Sequence, residues 1–426
     1  MTGRHAAPLH PLLLAALLAA VVPDATASES VLAPAPQAPE AAALGPEDAV
    51  LIARTLQQIT RHYVEPKGGH ELVVTALRQL LASLDRHSAL IEGASPQAVR
   101  DAVAGQFGGI GIELDIGPDG PVVMQLFRDG PARRAGVQAG DRIVAVDGEP
   151  VRGAALDAVI ARIKGPPRST VRLELQRGAA ALRLDVERQL VRFSTVGVER
   201  RGGLAVARIS EFLDGTPAEL IEQLAAAAEA APIEGLVLDL RGNPGGVVES
   251  GVAVASLFLP PNVLVLSSSG RAPDASQPYL SIDASTGLPA GQAALVARLR
   301  LLPLVVMIDR RSASSAEFVA AALQDHRRAR IVGCGPSYGK GSIQSIVPLS
   351  SQYAVKLTTA RFSSPRGRAL DGAGVAPDVL VAAAGADTSR EACDAHTAGL
   401  LEAAREELAR LGRTASSGGP PRGGGS

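Results

Sequence analysis

The stretch L-V-V-M-I-D-R-R-S-A-S-S-A-E-F, Leu304 to Phe318, decides how this chain is read. Its first five residues, Leu304 to Ile308, form an unbroken apolar run of the length expected for a strand buried on both faces. A serine cluster, Arg311 to Phe318, follows at once and opens an apolar helical stretch from Ala316 to Leu323. A serine at a strand-to-helix junction suits nucleophilic chemistry, because N–H groups at a helix N-terminus stabilise developing negative charge. Further on, the loop G-P-S-Y-G-K-G carries Lys340, one of only four lysines in the chain. Arginine supplies almost all of the other positive charge, and a guanidinium cannot give up its proton as a desolvated ammonium can. A serine nucleophile paired with a lysine base is one route to peptide hydrolysis. The alternative is that Lys340 is an ordinary surface-loop residue.

Outward from this stretch, strands and helices alternate from about Val191 to Ala384. Leu236 to Leu240 reads as a second buried strand. It runs into the turn R-G-N-P-G-G, Arg241 to Gly246, and then an apolar helix, about Val247 to Phe258. Tyr353 to Ala360 reads as another strand. The segment from Ser267 to Leu302 is less regular and reads as a lid or a surface elaboration. Earlier, from Gln106 to about Glu187, the texture is one of short strands and glycine turns, with Asp147-Gly148 a strong hairpin signal. Two amphipathic helices precede it, with Ile52, Leu56, Ile59 and Tyr63 on one face of the first and Val73, Leu77, Leu80 and Leu84 on one face of the second.

The 426 residues allow two or three domains, and a net charge of −1 argues against a nucleic-acid partner or a polybasic membrane contact. The N-terminus reads as a secretory signal. Arg4 and His5 precede the apolar run Leu12 to Val22, and Ala25-Thr26-Ala27 offers a cleavage site. The run is short for a membrane span. The expectation is an exported, periplasmic protein. Two cysteines, Cys334 and Cys393, could pair in an oxidising compartment; the sequence leaves this open. With so few cysteines and histidines, no metal site and no cofactor is expected.

The Gln106–Glu187 stretch resembles a PDZ domain of the kind found in bacterial proteases. That resemblance implies capture of an extended peptide as an added strand, with the terminal carboxylate held by the N–H groups of Gly108, Gly109, Ile110 and Gly111, and Ile112 in the same binding segment. The whole chain resembles the carboxy-terminal processing peptidases, a serine/lysine family also called tail-specific proteases. The motifs that carry the resemblance occur in family order. They are L-D-R-H-S (Leu84 to Ser88), G-G-I-G-I, P-A-R-R-A-G-V-Q-A-G-D, D-L-R-G-N-P-G-G, S-A-S-S-A-E, A-L-Q-D-H-R-R-A, Y-G-K-G-S-I-Q and K-L-T-T-A-R-F-S-S-P-R-G-R.

This resemblance implies a multidomain α/β protein with a crotonase-like ββα protease core, an inserted PDZ domain and an N-terminal helical module. The expected divisions are a signal peptide (1–27), a linker (28–45), the helical module (46–104), the PDZ domain (105–188), the core (189–385), a C-terminal helix (386–415) and a disordered tail (416–426). It also implies Ser314 as nucleophile, Lys340 as base and Gln344 as the amide that holds Lys340. The backbone of Ser315 and of Gly245 or Gly246 would supply the oxyanion donors.

The family's serine motif has the order S-A-S-A-S-E, so Ser315-Ala316 is a swap, and the serine-to-lysine spacing is one residue longer from Ser314 than the family's. That spacing would fit Ser315, but the extra residue is more easily housed in the G-C-G-P-S-Y loop. Asp325 is expected to be structural. A Ser–His–Asp triad using Asp325-His326 is disfavoured, because helical neighbours point in different directions. The partners implied are protein or peptide C-termini, with an adaptor protein and self-association left open. The competing reading is a catalytically silent PDZ-bearing binding or scaffold protein on the same fold. A third is a protease held inactive until a peptide reaches the PDZ domain.

Overall fold

A computed structural model describes residues 45–93, 106–117, 119–127, 130–350, 352–381 and 397–417. The expected signal peptide, nearly all of the linker and the distal tail lie outside the described residues.

Two helices come first, α1 (Pro46–His62) and α2 (Gly69–Leu84). Helix α1 buries none of its residues, so the face Ile52, Leu56, Ile59 and Tyr63 does not enclose a core. Helix α2 buries Val74 and Leu81 rather than the expected Val73, Leu80 and Leu84, which stay exposed. Both stripes have helical spacing. The choice between them is a tertiary one: α1 and the strand β1 (Ala89–Glu92) that follows both pack against α2.

The next layer opens with β2 (Gln106–Gly109), β3 (Ile112–Gly117), β4 (Gly120–Leu126), the one-turn α3 (Pro131–Arg134), β5 (Arg142–Val146) and β6 (Glu149–Pro150). It continues with α4 (Leu156–Ile163), β7 (Thr170–Arg177), β8 (Ala180–Glu187) and β9 (Gln189–Arg192). Five strands form a sheet in the order β3-β4-β5-β7-β8, with β6 paired to β5. Val123, Ile143, Val159, Val171 and Leu173 fill its core. Strand β3 is an edge, which leaves a row of backbone groups open for pairing. The ribbon β2–β9 ties this sheet to the rest of the chain.

The largest layer contains β10 (Val196–Arg201), β11 (Leu204–Ile209), α5 (Thr216–Ala230), β12 (Gly235–Asp239), α6 (Val248–Ser256), β13 (Leu264–Gly270) and β14 (Pro278–Leu280). After these come α7 (Ala290–Leu299), β15 (Leu304–Ile308), α8 (Ser315–Asp325), β16 (Arg330–Gly333), β17 (Ser342–Pro348), β18 (Tyr353–Ser363), β19 (Val379–Leu380) and α9 (Thr397–Ser417). One sheet has the order β10-β11-β12-β15-β16-β19, parallel except for β10. Leu236, Leu238, Val306 and Ile308 point to the face covered by α5, α6 and α8. Val237, Val305 and Met307 point to the face covered by Leu400, Ala404 and Leu408 of α9. Two covered faces explain why β12 and β15 are apolar without alternation. The second sheet, β1-β18-β13-β14 with β17 on β18, is antiparallel.

The Ser267–Leu302 segment is not a lid. It holds the end of β13, then β14 and α7, and Leu295, Val296 and Leu299 are buried in the main core. The serine-rich strand S-S-S-G and the small residues of α7 hid that packing from a reading of periodicity. Cys334, fully buried just after β16, is half of a disulfide, and Cys393 lies outside the described residues.

Candidate active site

Strands β12 and β15 are parallel neighbours, so the turns at their C-terminal ends must meet. The turn Arg241–Gly246 and the serine cluster are laced together there. Asn243 accepts from the Ala313 N–H through its carbonyl (2.9 Å), Asp309 Oδ1 accepts from the Gly242 N–H (2.9 Å), and the Ser312 hydroxyl donates to the Leu240 carbonyl (2.8 Å). Asn243 is fully buried. Its amide donates to the Ile209 carbonyl (2.9 Å) while its Oδ1 accepts from the Gly245 N–H (2.8 Å).

Ser314 sits at the N-cap of α8 with φ 54° and ψ −115°. A non-glycine residue held there costs on the order of 1–3 kcal/mol, so the surrounding contacts must impose it. Ser314 is half-exposed. Ser315, by contrast, is fully buried, and its hydroxyl donates to the Gly246 carbonyl (3.0 Å). The swapped pair thus has a structural reason: Ser315 ties the helix to the glycine turn, and Ala316 packs in the core.

Gly245 and Gly246 have φ values of 101° and 145°, and a Cβ has no room at either. At Gly245 it would stand 2.6 Å from the Ser314 Cβ and 2.9 Å from the Ser315 nitrogen; at Gly246 it would stand 2.0 Å from the Phe212 carbonyl oxygen. Of the two candidate oxyanion N–H groups, that of Gly245 is already given to Asn243. Among the described residues, the Gly246 and Ser315 N–H groups enter no such bond. Gly246→Ala is expected to lower stability by about 2–4 kcal/mol through the clash and the strained φ. A shift in the thermal unfolding midpoint measures it, and an unshifted midpoint would contradict the packing.

Lys340 lies in the loop before β17 and is buried, 8% exposed. Burial pushes its pKa down to about 8, helped by the positive charges of Lys356 and Arg86 and opposed by Glu317 and Asp85. The loop is fastened to α8 by Glu317. Its Oε2 accepts from the Ser314 N–H (2.8 Å) and the Lys340 N–H (2.8 Å), and its Oε1 from the Ser337 hydroxyl (2.5 Å) and the Gly339 N–H (2.6 Å). Burial raises the Glu317 pKa, while these four donors favour the charged form. The sequence reading gave Glu317 no role. The signal was there, since a glutamate three residues after a helix N-cap serine is a capping pattern.

Gln344 is buried on β17, but its amide donates to the Ser342 hydroxyl (2.9 Å) and the Thr358 hydroxyl (3.3 Å) rather than to Lys340. Asp325 ends α8, at the opposite end from Ser314 and about 15 Å away. There it accepts from Arg368 (2.6 Å) and from the Arg366 N–H (3.0 Å). His326 bonds the Leu264 carbonyl (2.7 Å). A triad of Ser314 with these two residues is therefore excluded by distance.

The L-D-R-H-S turn between α2 and β1 reaches the same region. Ser88 accepts from the Thr358 N–H (3.2 Å), and the Arg86 guanidinium lies 5.2 Å from the ring centre of Tyr338, two residues before Lys340. In the β3–β8 layer, Gly108 and Gly109 belong to β2 and pair with Leu190 and Gln189 of β9. Only Ile110 and Gly111 remain in the turn before β3. Ile112 opens the β3 edge strand, with α4 packed against it. No cluster able to hold a metal occurs among the described residues.

The parallel core, the strained serine at a strand-to-helix turn and the separate peptide-binding type of sheet define a serine peptidase with an appended PDZ domain. The family models agree: Peptidase family S41 matches residues 203–381 and a PDZ domain matches residues 122–177. A carboxy-terminal-processing protease of Bartonella bacilliformis is 33% identical over 76% of this chain and 73% of its own length. A carboxyl-terminal-processing protease of Synechocystis is 30% identical over 75% and 74%. Among solved structures, the photosystem II D1 C-terminal processing protease is 28% identical, covering 81% of this chain and 95% of its own, with a TM-score of 0.43. This chain belongs to the S41 carboxy-terminal processing protease family, and the family matches support a serine peptidase.

Proposed function

We propose that this chain is an exported endopeptidase that cuts proteins near their C-terminus, with Ser314 as nucleophile and Lys340 as base. The observation that carries this reading is the contrast between the two serines. Ser314 is accessible and strained against the glycine turn, while the Ser315 hydroxyl is buried and occupied.

In this mechanism Lys340 takes the proton of the Ser314 hydroxyl as its oxygen attacks the scissile carbonyl carbon. The resulting oxyanion is met by the N–H groups of Gly246 and Ser315, each worth about 3 kcal/mol by analogy with known oxyanion donors. Collapse breaks the C–N bond, and Lys340 delivers the proton to the leaving amine. A water molecule then repeats the sequence on the acyl-enzyme. Gln344 acts through the Ser342–Thr358 hydroxyl network that surrounds the Lys340 loop, holding the site without adding charge. The edge strand β3 takes the substrate tail by strand addition, with the Ile110–Gly111 turn at its carboxylate and an apolar side chain against α4. The N-terminal signal pattern, Arg4 and His5 before the apolar run Leu12 to Val22, supports a periplasmic location. An adaptor that delivers substrate and a second copy of the chain are the further partners this reading allows.

The test is digestion of an unstructured reporter ending in an apolar tail, beside the same reporter with an amidated C-terminus. Rapid cleavage of the first and slow cleavage of the second supports the reading. Equal rates would remove C-terminal recognition from it.

The depressed Lys340 pKa predicts the pH dependence. The neutral amine is the active form, so kcat/KM should rise about tenfold per pH unit up to about 8 and level off above. Folding is linked with the following sign. The folded pKa lies below the ordinary 10.5, so between about 8 and 10.5 the unfolded chain binds the extra proton and stability rises with pH. That rise is on the order of 3 kcal/mol at most. Denaturant titrations of wild type and Lys340→Met across that range should differ by this slope.

A further inference from the structure

Tyr338 is an exposed ring in a loop that is otherwise folded away, and the mechanism so far gives it no task. It is 48% exposed, while its neighbours Ser337, Gly339 and Lys340 are buried. Its backbone is pinned between the two halves of the dyad. The Tyr338 N–H donates to the Ser312 carbonyl (2.9 Å), two residues before Ser314, and Lys340 follows two residues later. Ser337 and Gly339, on either side, both donate to Glu317 Oε1, and the other oxygen of that carboxylate accepts from the Ser314 N–H (2.8 Å). The ring therefore stands at the mouth of the site, beside the half-exposed Ser314.

The Arg86 guanidinium lies over this ring, 5.2 Å from its centre, within the range of a cation–π contact. Arg86 belongs to the L-D-R-H-S turn, a motif the mechanism has not used, and that turn is well anchored. Asp85 accepts from the His87 N–H (2.7 Å), the Ser88 N–H (2.7 Å) and the Ser88 hydroxyl (2.9 Å), and Ser88 in turn accepts from the Thr358 N–H (3.2 Å) on β18. Arg86 itself is exposed and forms no ion pair among the described residues. Its Nε donates to His87 Nε2 (3.3 Å), which leaves its NH₂ groups open. The carboxylates nearby are committed elsewhere. Asp85 is spent in its own turn, Glu317 on its four donors, and Asp371 on the Gly341 N–H (3.2 Å) and on Arg361 (3.7 Å). A guanidinium held in place by a ring, with N–H groups to spare, is a receptor for a carboxylate.

An extended substrate advances about 3.3 Å per residue, so the side chains flanking the scissile bond lie within about 7 Å of the attacked carbon. The Tyr338 loop, which shares Glu317 with Ser314, falls in that range. We infer that Arg86 is a specificity-determining residue, held over Tyr338 as one wall of a subsite beside the dyad that takes an acidic side chain, Asp or Glu, flanking the scissile bond. Tails with an acidic residue there are cut in preference to tails with a lysine in the same place. This inference rests on the Ser314–Lys340 reading, which fixes where the scissile bond lies.

The experiment is a competition among reporter peptides that share one apolar tail and differ in a single residue, Glu, Gln or Lys. That residue is placed in turn at each of the two positions on either side of a cut mapped by mass spectrometry. Ratios of kcat/KM are read for wild type, Arg86→Gln, Arg86→Glu, Tyr338→Phe and Tyr338→Leu, with Ser314→Ala and Lys340→Ala alongside. A ratio within one enzyme is not distorted by a partly unfolded variant. At one of the positions wild type should cut the Glu peptide about 3- to 10-fold faster than the Lys peptide, and less so at high salt. Arg86→Gln should bring the two close to parity, and Arg86→Glu should reverse the preference. Tyr338→Phe keeps the ring and should keep the preference, whereas Tyr338→Leu releases the guanidinium and should weaken it. No preference at any position in wild type, a preference that survives Arg86→Gln, or one that Arg86→Glu does not reverse would overturn the inference. If Ser314→Ala or Lys340→Ala cuts like wild type, the dyad itself fails and the subsite loses its place. If both are dead and the ratio ignores Arg86, only the role of Arg86 falls.

Discussion

Ser314→Ala is expected to lower turnover of the tailed reporter by about 10³- to 10⁴-fold while leaving the fold intact. The half-exposed hydroxyl makes no hydrogen bond that the core depends on, and alanine meets the same backbone strain as serine. Ser315→Ala should behave differently. It removes the buried bond to the Gly246 carbonyl and leaves that oxygen unsatisfied, at a cost of about 1–3 kcal/mol of stability. Its activity should fall by about tenfold or less, because the Ser315 N–H survives the substitution. The two variants thus separate chemistry from architecture. Rates and unfolding midpoints measured side by side decide the matter, and an active Ser314→Ala with a dead Ser315→Ala would move the nucleophile by one residue.

The second large effect is expected at Glu317. Replacing it by alanine leaves four donors without an acceptor in a fully buried position: the N–H groups of Ser314, Gly339 and Lys340 and the Ser337 hydroxyl. A loss of about 3–5 kcal/mol is expected, of the size seen when one side of a buried charged network is removed. Activity should fall further than stability alone explains, since this carboxylate holds the Lys340 loop to the helix that begins after Ser314. Glu317→Gln is the informative companion. It keeps the shape but has only one accepting oxygen, and its NH₂ would face backbone N–H groups. It should fold, unfold at a lower temperature and cleave slowly. A Glu317→Gln enzyme with the wild-type rate would show that the loop is held by other contacts.

The family and its α/β class were legible because they rest on local signals. The apolar runs at Leu236 and Leu304 are strands with both faces covered, and the turns that follow them bring the chemistry to strand ends. Less was legible where the sequence offers two equivalent choices. In α2 two apolar stripes have helical spacing, and Val74 and Leu81 are the ones buried once α1 and β1 pack against the helix. In α7 and β13 small and polar residues give no clear period, so a packed part of the core read as an elaboration.

The site divides in the same way. The sequence by itself determined the residue types and their local settings: a serine ahead of an apolar helix, a lysine among glycines, and a glycine turn after a buried strand. These follow from short-range chemistry, where backbone freedom and helix ends are written in neighbouring residues. Which serine is free, which glycine N–H is already spent on Asn243, and which charges surround Lys340 were decided only by the tertiary structure. Burial, hydrogen-bond competition and electrostatic field are sums over groups far apart in the chain. Asp85, Glu317 and Lys356 come within reach of one ammonium only after three separate elements have packed.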